Sequence, residues 1–99
     1  MTDKAPLAVI TGASGGIGRA LAEYHAAKGG DLILAARRAV ELDALKADIE
    51  AKHSVSVTPV ACDLGTPEGL ATLIAACEGR DIGILINNAG FGGRGAFIE

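Results

Sequence analysis

The stretch LAVITGASGGIG at residues 7–18 decides how this chain folds. Its first part, Leu7–Thr11, is mainly apolar and predicts a buried strand. Its second part is rich in glycine and leads into a helical pattern that begins near Ile17. A glycine turn between a buried strand and a helix brings free N–H groups close to an anion, with the positive end of the helix dipole behind them. The stretch therefore predicts a phosphate-binding loop.

Three glycines of this loop have separate predicted roles. Gly12 permits the tight turn after the strand, whereas Gly16 and Gly18 lack the Cβ atoms that would block a pyrophosphate and the helix–strand contact. The spacing is Gly-x-x-x-Gly-x-Gly and differs from the G-x-G-x-x-G fingerprint. The loop alone is therefore a moderate signal, and a glycine-rich turn without a ligand is the alternative.

Length and composition limit the kind of protein that this chain can be. The chain has 99 residues, of which 49% are hydrophobic and 21% charged, so we expect a packed core in one domain at most. A net charge of −3 without a basic run argues against nucleic-acid binding. The pattern of a signal peptide and an apolar run of membrane-spanning length are both missing, so we expect no membrane partner. Two cysteines without metal-ligand spacing favour a reducing, cytoplasmic setting.

Strand and helix patterns alternate along the rest of the chain. Thr66 and Pro67 resemble an N-cap followed by proline at the first helical position. The predicted strands are Leu7–Thr11, Leu32–Ala35, Val55–Ala61 and Ile82–Ile86, and the predicted helices are Ile17–Lys28, Val40–His53 and one from Thr66-Pro67 through Ile74. This βαβαβαβ order with apolar strands predicts a parallel sheet with right-handed helical crossovers.

Two further motifs follow predicted strands. Asp63-Leu64 follows the third strand, where a carboxylate could accept a hydrogen bond from an adenine amino group or cap the next helix. Asn87-Asn88-Ala89-Gly90 follows the fourth strand, where amide side chains could tie strand ends together beside a crevice or form an ordinary turn. Both motifs and the glycine loop lie at carboxyl ends of parallel strands, where open α/β sheets bind ligands.

Together the three motifs resemble the cofactor half of classical short-chain dehydrogenases/reductases, over about residues 7–99. The resemblance implies an α/β Rossmann-type fold with strand order 3-2-1-4 and helices on both faces. Residues 1–99 would be the N-terminal part of a dinucleotide-binding domain, with the catalytic half beyond Glu99. The implied activity is hydride transfer between a nicotinamide cofactor and a small carbonyl or alcohol substrate, in a homo-oligomeric enzyme.

Two other readings remain open. The chain could be a catalytically inert nucleotide-binding half-domain or a partner-binding fragment whose fourth strand is an open edge. A receiver-like signalling domain is disfavoured, because it would need clustered acidic residues where this chain has Thr11-Gly12.

The resemblance also assigns residues to the cofactor. Its glycine loop would line the phosphates and the adenosine ribose, Asp63 and Leu64 would hold the adenine, and Thr11 would bond across to the fourth strand. The full predicted cofactor set is Gly12, Ser14, Gly16, Ile17, Gly18, Arg37, Asp63, Leu64, Asn87, Ala89 and Gly90.

The end of the second strand predicts which cofactor is used. NAD specificity usually needs an acidic residue there for the ribose hydroxyls, and that carboxylate would repel a 2′-phosphate. This chain has Ala36 at that position, followed by Arg37, whose guanidinium matches a phosphate. The sequence therefore predicts NADP rather than NAD, although the glycine loop has Gly15 where many NADP-preferring members carry a second basic residue. A solvated helix start is the alternative role for Arg37 and Arg38.

Tyr24 and Lys28 have the Tyr-x-x-x-Lys spacing of the family's catalytic pair, but they lie on the first helix, far upstream of the family's position. We therefore expect Tyr24 on the buried face with Ile17 and Leu21. We predict that this chain holds no catalytic residue and no metal site. His25 and His53 are expected at the surface, and Cys62 is expected to be a small apolar residue near a strand end.

Overall fold

A computed structural model describes residues 5–13 and 16–86 of the chain. Within these ranges strands and helices alternate as β1 (Leu7–Thr11), α1 (Gly16–Ala27), β2 (Leu32–Ala36), α2 (Ala39–Lys52), β3 (Val57–Ala61), α3 (Pro67–Cys77) and β4 (Ile82–Ile86). Every strand pair is parallel, and the order across the sheet is β3-β2-β1-β4. The predicted alternation, strand orientation and strand order are all confirmed.

Most predicted bounds are identical to the observed ones or differ by a single residue, whereas β3 begins two residues later than predicted and α3 continues three residues beyond Ile74, to Cys77. The N–H of Ser56 donates to Asp31 Oδ1 at 2.9 Å, and the N–H of Val57 donates to Glu50 Oε2 at 2.8 Å. The side chains of Asp31 and Glu50 thus hold the backbone at the start of β3. The sequence alone does not show whether β3 begins at Val55 or at Val57, because both residues are valines with the same β-propensity.

Alternating residues of the central strands supply two hydrophobic layers, one on each face of the sheet. Ala8 and Ile10 of β1 pack with the buried faces of α1 and α2, whereas Val9 of the same strand packs with α3 through Leu73. The central strands β1 and β2 are almost fully buried. Helices therefore cover both faces of the sheet, as predicted.

Helix α1 buries a different face from the one predicted. Its buried residues are Gly18, Ala22, His25 and Ala26, whereas Ile17 is 70% exposed and Tyr24 is 64% exposed. The prediction that Tyr24 belongs to the core is therefore wrong. Small residues bring α1 close to the sheet, and a large side chain such as tyrosine does not fit at that contact.

His25 was predicted at the surface, and this prediction is also wrong. Its side chain is buried, and Nε2 lies 2.6 Å from the carbonyl oxygen of Pro6, just before β1. Gly30 makes the space for it, since a Cβ atom on Gly30 would overlap the imidazole ring. The polar ring is tolerated in the interior because it is hydrogen-bonded. His53 is half-buried at the end of α2.

A bulge alters the alternation of β4. Leu7 pairs with Ile82 and Ala8 pairs with Ile84, so Gly83 has no partner of its own on β1. Ile82 consequently packs on the α3 side of the sheet, whereas Ile84 packs on the α1 and α2 side. Gly83 suits this position because a Cβ atom there would overlap the ring of Pro6.

No helix of residues 5–13 and 16–86 is both long and apolar enough to cross a membrane.

Candidate functional site

The carboxyl ends of β1, β2 and β3 lie side by side along one edge of the sheet, at right angles to the strands. The predicted site residues follow these strand ends. The N–H of Ala13 donates to the carbonyl of Ala35 at 3.1 Å, and the N–H of Cys62 donates to the carbonyl of Ala36 at 2.8 Å. These bonds fix the segments that follow the three strands side by side. The chain runs from β1 outward to β2 and β3 and then returns to β4, so the order reverses at β1. Such a switch point is where open α/β sheets hold ligands.

The glycines at positions 12, 16 and 18 differ in how strictly the structure requires them. Gly12 has a φ of 63°, a left-handed conformation that favours glycine. A Cβ atom on Gly18 would overlap the carbonyl oxygen of Gly12 and lie 2.8 Å from the Cα of Ala13. Gly16, by contrast, has open space where its Cβ would be. Gly12 and Gly18 therefore shape the loop, and Gly16 leaves the entrance of α1 unobstructed. Ser14 lies outside the described residues.

The first turn of α1 is suited to an anion. It carries no acidic side chain of its own, so no carboxylate of the turn itself competes for the N–H groups there. Ile17 is largely exposed in this turn. A cofactor phosphate could therefore approach the helix end, as the glycine loop predicts.

Thr11 joins β1 to β4 at the same edge. Its hydroxyl donates to the carbonyl oxygen of Ile86 at 3.5 Å, and its side chain is buried. The predicted bond from Thr11 to the fourth strand is therefore present, although it is long. The predicted residues Asn87, Ala89 and Gly90 lie outside the described residues.

The two arginines after β2 differ in their partners. Arg38 is the N-cap of α2, and its Nη1 lies 3.3 Å from the Oε2 of Glu41. Arg37 is exposed and has no hydrogen bond or ion pair to any residue in the ranges 5–13 and 16–86. Since Arg37 follows Ala36 directly at the carboxyl end of β2, its guanidinium is a positive charge at this edge without a partner among the described residues.

Asp63 and Leu64 follow β3 in a loop that leads to α3. Asp63 is exposed, and its Oδ1 accepts a hydrogen bond from the N–H of Gly65 at 2.9 Å. Leu64 is half-buried and packs against the α3 side of the core. Thr66 is the N-cap of α3 as predicted, since its hydroxyl accepts from the N–H of Gly69 at 3.0 Å. Asp63 therefore precedes the cap and is not itself the cap.

The Tyr24–Lys28 pair lies away from this edge. Tyr24 is eight residues beyond the start of α1, which corresponds to about 12 Å along the helix axis. The Lys28 Nζ lies 4.9 Å from the centre of the Tyr24 ring, an exposed cation–π contact. The pair is consequently a surface feature of α1.

Cys62 is half-buried and packs against the α3 side of the core. Burial, together with the neighbouring Asp63, raises the pKa of its thiol. A raised pKa disfavours the thiolate, so Cys62 is unsuited to be a nucleophile. Among the described residues no group of histidine, cysteine and acidic side chains is arranged to hold a metal ion.

An open surface depression lies at the opposite edge of the sheet, where β2 and β3 begin. Its lining is contributed by the end of α2 and the segments before the two strands, namely Asp31, Glu50, Ala51, Lys52, His53, Ser54, Val55 and Ser56. None of the predicted cofactor residues lines it. The glycine loop, Arg37 and Asp63 follow the other ends of the strands, where the sequence predicts the site.

Curated relatives resemble the chain only over part of their length. Very-long-chain 3-oxoacyl-CoA reductase of Podospora anserina is 44% identical over 93 residues, covering 88% of this chain and 26% of that protein. The Danio rerio very-long-chain 3-oxoacyl-CoA reductase-B is 36% identical over 83 residues, covering 84% of this chain and 27% of that protein. The chain thus spans about a quarter of the length of these relatives.

Solved structures show the same fold. A short-chain dehydrogenase from Sphingobium yanoikuyae in complex with NADPH has a TM-score of 0.82 and 48% identity, over 88% of this chain and 35% of that one. L-sorbose reductase from Gluconobacter frateurii, complexed with NADPH and L-sorbose, has a TM-score of 0.83 and 38% identity, over 90% of this chain and 35% of that one. The family model described as short chain dehydrogenase matches residues 6–99. With this match over nearly its whole length, the chain belongs to the short-chain dehydrogenase family.

Proposed function

We propose that this chain provides the cofactor-binding part of an NADP-dependent oxidoreductase. The observation that carries the proposal is Arg37, an exposed guanidinium with no partner among residues 5–13 and 16–86, which follows the carboxyl end of β2 at the same sheet edge as the glycine loop. A 2′-phosphate on the adenosine ribose would be a matching partner for this charge. The NADPH complexes of two structural neighbours support the same choice.

The described residues fit a dinucleotide. Gly12 and Gly18 allow α1 to pack against the loop, and Gly16 leaves its helix end open to a phosphate. Arg37 would hold the 2′-phosphate, and the second carboxylate oxygen of Asp63 would accept a hydrogen bond from adenine. We assign Ser14, Ile17, Leu64, Asn87, Ala89 and Gly90 to the same cofactor by the family resemblance. When bound, the nicotinamide supplies or accepts the hydride, and these residues bind and orient it.

The substrate proposed is a carbonyl compound or the corresponding alcohol. Three of the four similar proteins named above are reductases, two of them very-long-chain 3-oxoacyl-CoA reductases and one an L-sorbose reductase, and these names describe reduction of a carbonyl group. We infer the same reaction class for this protein, in a homo-oligomer within a reducing, cytoplasmic setting. The two free thiols of Cys62 and Cys77 are consistent with that setting.

Nucleotide titration tests the proposal. Wild-type protein should bind NADPH at least tenfold more tightly than NADH, and Arg37→Ala should remove most of that difference, since a charge-assisted contact is lost. Arg38→Ala is the matched control, because Arg38 already pairs with Glu41, and it should keep the preference. Equal binding of NADPH and NADH by wild type, or an unchanged preference in Arg37→Ala, would show that Arg37 does not read a 2′-phosphate.

A further inference from the structure

Asp63 is held in place by its backbone as well as by its side chain. Its carbonyl oxygen accepts hydrogen bonds from the N–H of Thr66 at 3.1 Å and from the hydroxyl of Thr66 at 2.9 Å. Its Oδ1 accepts from the N–H of Gly65 at 2.9 Å. The second carboxylate oxygen has no hydrogen bond to the described residues. The loop before α3 therefore fixes where that free oxygen lies.

Gly69, in the first turn of α3, sits directly on the backbone of Asp63. It is buried, and its N–H donates to the Thr66 hydroxyl at 3.0 Å. A Cβ atom on Gly69 would overlap the carbonyl group of Asp63 and lie 2.8 Å from its nitrogen. The obstacle is backbone and cannot rotate away as a flexible side chain could. Any larger residue at this position must displace either the start of α3 or Asp63.

We propose that Gly69 is a positioning residue for adenine recognition, because it lets α3 hold the Asp63 carboxylate where it accepts a hydrogen bond from the exocyclic amino group. The inference rests on the proposed function, in which Asp63 faces the adenine. Gly69 touches no cofactor atom itself. It acts through Asp63, with Thr66 as the link between them.

The experiment compares two cofactors that differ at position 6 of the purine. Nicotinamide hypoxanthine dinucleotide phosphate has a carbonyl oxygen where NADP has this amino group, and a proton on the neighbouring N1, so its position 6 repels the Asp63 carboxylate instead of donating to it. Titration calorimetry of wild-type protein should give about a tenfold preference for NADP over this analogue, as expected for a hydrogen bond to a charged acceptor. Gly69→Ala should reduce the preference to twofold or less while its preference for NADP over NAD persists.

A control variant separates positioning from general destabilisation. Gly30→Ala also introduces an overlap, with the His25 side chain rather than with backbone, at the opposite edge of the sheet, and it should keep the tenfold preference. If Gly69→Ala does not fold, Thr66→Val and Thr66→Ser replace it: Val removes the hydroxyl link and should lose the preference, and Ser should retain it.

The outcomes distinguish this inference from the proposed function. A tenfold preference for NADP over the hypoxanthine analogue that survives in Gly69→Ala, or in Thr66→Val, overturns the role of Gly69. A wild-type protein that binds NADP tightly but does not distinguish the analogue also overturns it, and leaves NADP binding intact. Failure to bind any nicotinamide nucleotide would instead refute the proposed function.

Discussion

Gly18 packs so closely on Gly12 that a single methyl group on Gly18 would overlap the Gly12 carbonyl oxygen. The contact joins the first turn of α1 to the loop after β1, and it determines how near the helix end comes to that loop. Both residues are glycines, so the contact is between backbone atoms. No side chain there can change its rotamer to make room for an added methyl group.

Gly18→Ala should destabilise the protein by about 1–3 kcal/mol, the usual cost of forcing an extra methyl group into a packed site. Helix propensity alone would predict the opposite, a gain of about 0.5–1 kcal/mol. Urea denaturation of Gly18→Ala and Gly16→Ala decides between the two. Gly16 has open space around it, so its alanine variant should be at least as stable as wild type. Equal stability of the two variants would contradict the packing argument.

His25→Ala should also lower the free energy of unfolding, by about 1–3 kcal/mol, because it leaves the Pro6 carbonyl without its imidazole partner. The half-buried His53 provides the control, and His53→Ala should change stability by less than about 0.5 kcal/mol. Thermal and urea denaturation both report the difference. A His25→Ala variant as stable as wild type would mean that water replaces the imidazole without cost.

Glu50 should make the stability depend on pH in the acidic range. Hydrogen bonds from Lys46 and from the N–H of Val57 hold its pKa below the ordinary value of 4.5. A carboxyl group whose pKa is lower in the folded state stabilises the fold above its unfolded pKa, and this contribution is lost as the pH falls through the folded value. The stability difference between wild type and Glu50→Gln should therefore be constant above about pH 5.5 and shrink below 4.5.

The control for this measurement is Glu78→Gln. Glu78 is exposed, and its side chain makes no ion pair or hydrogen bond with the described residues. Glu78→Gln therefore measures the effect of removing an exposed carboxylate that lacks the hydrogen bonds of Glu50. A Glu50→Gln difference that grew on acidification would have the wrong sign for a lowered pKa.

Tyr24→Phe should leave NADPH affinity within twofold of wild type and stability within about 0.5 kcal/mol, as for most surface substitutions. The hydroxyl is the only group removed, and the ring keeps its contact with Lys28. Where the protein reduces a carbonyl substrate, turnover should be unchanged as well. A loss of tenfold or more in turnover would show that the Tyr-x-x-x-Lys pair on α1 is catalytic after all.

The sequence predicted the architecture, and the described members of the predicted site follow the carboxyl ends of the strands, whereas their role in cofactor binding stays a prediction. Alternating strand and helix patterns determine a parallel sheet, because parallel strands need crossover connections and apolar strands need cover on both faces. The Thr66 cap and the glycines of the loop were predictable as well, since each of those residue types satisfies one local backbone requirement. The choice of Arg37 as phosphate ligand remains a prediction based on its position after β2.

Tertiary packing alone decided which residues of α1 face the core. The helical pattern contains two candidate faces, and the larger side chains of Ile17 and Tyr24 favour the wrong one. Gly18 and Ala22 face the sheet because only small residues fit so close to β1, and His25 joins them because Pro6 and Gly30 give it a partner and a space. Pro6 lies 19 residues before His25, and the space beside Gly30 exists only once the chain has folded back, so the helical pattern does not reveal either.

The bulge at Gly83 and the contact between Gly69 and Asp63 are likewise set only in three dimensions. Each depends on how closely two separate backbones approach, whereas a sequence pattern records only the side chains along one of them. What the sequence determined by itself is the order of the elements and the chemistry at the strand ends. The tertiary structure decided which faces are buried and where glycine is sterically required, because close packing is a property of pairs of elements.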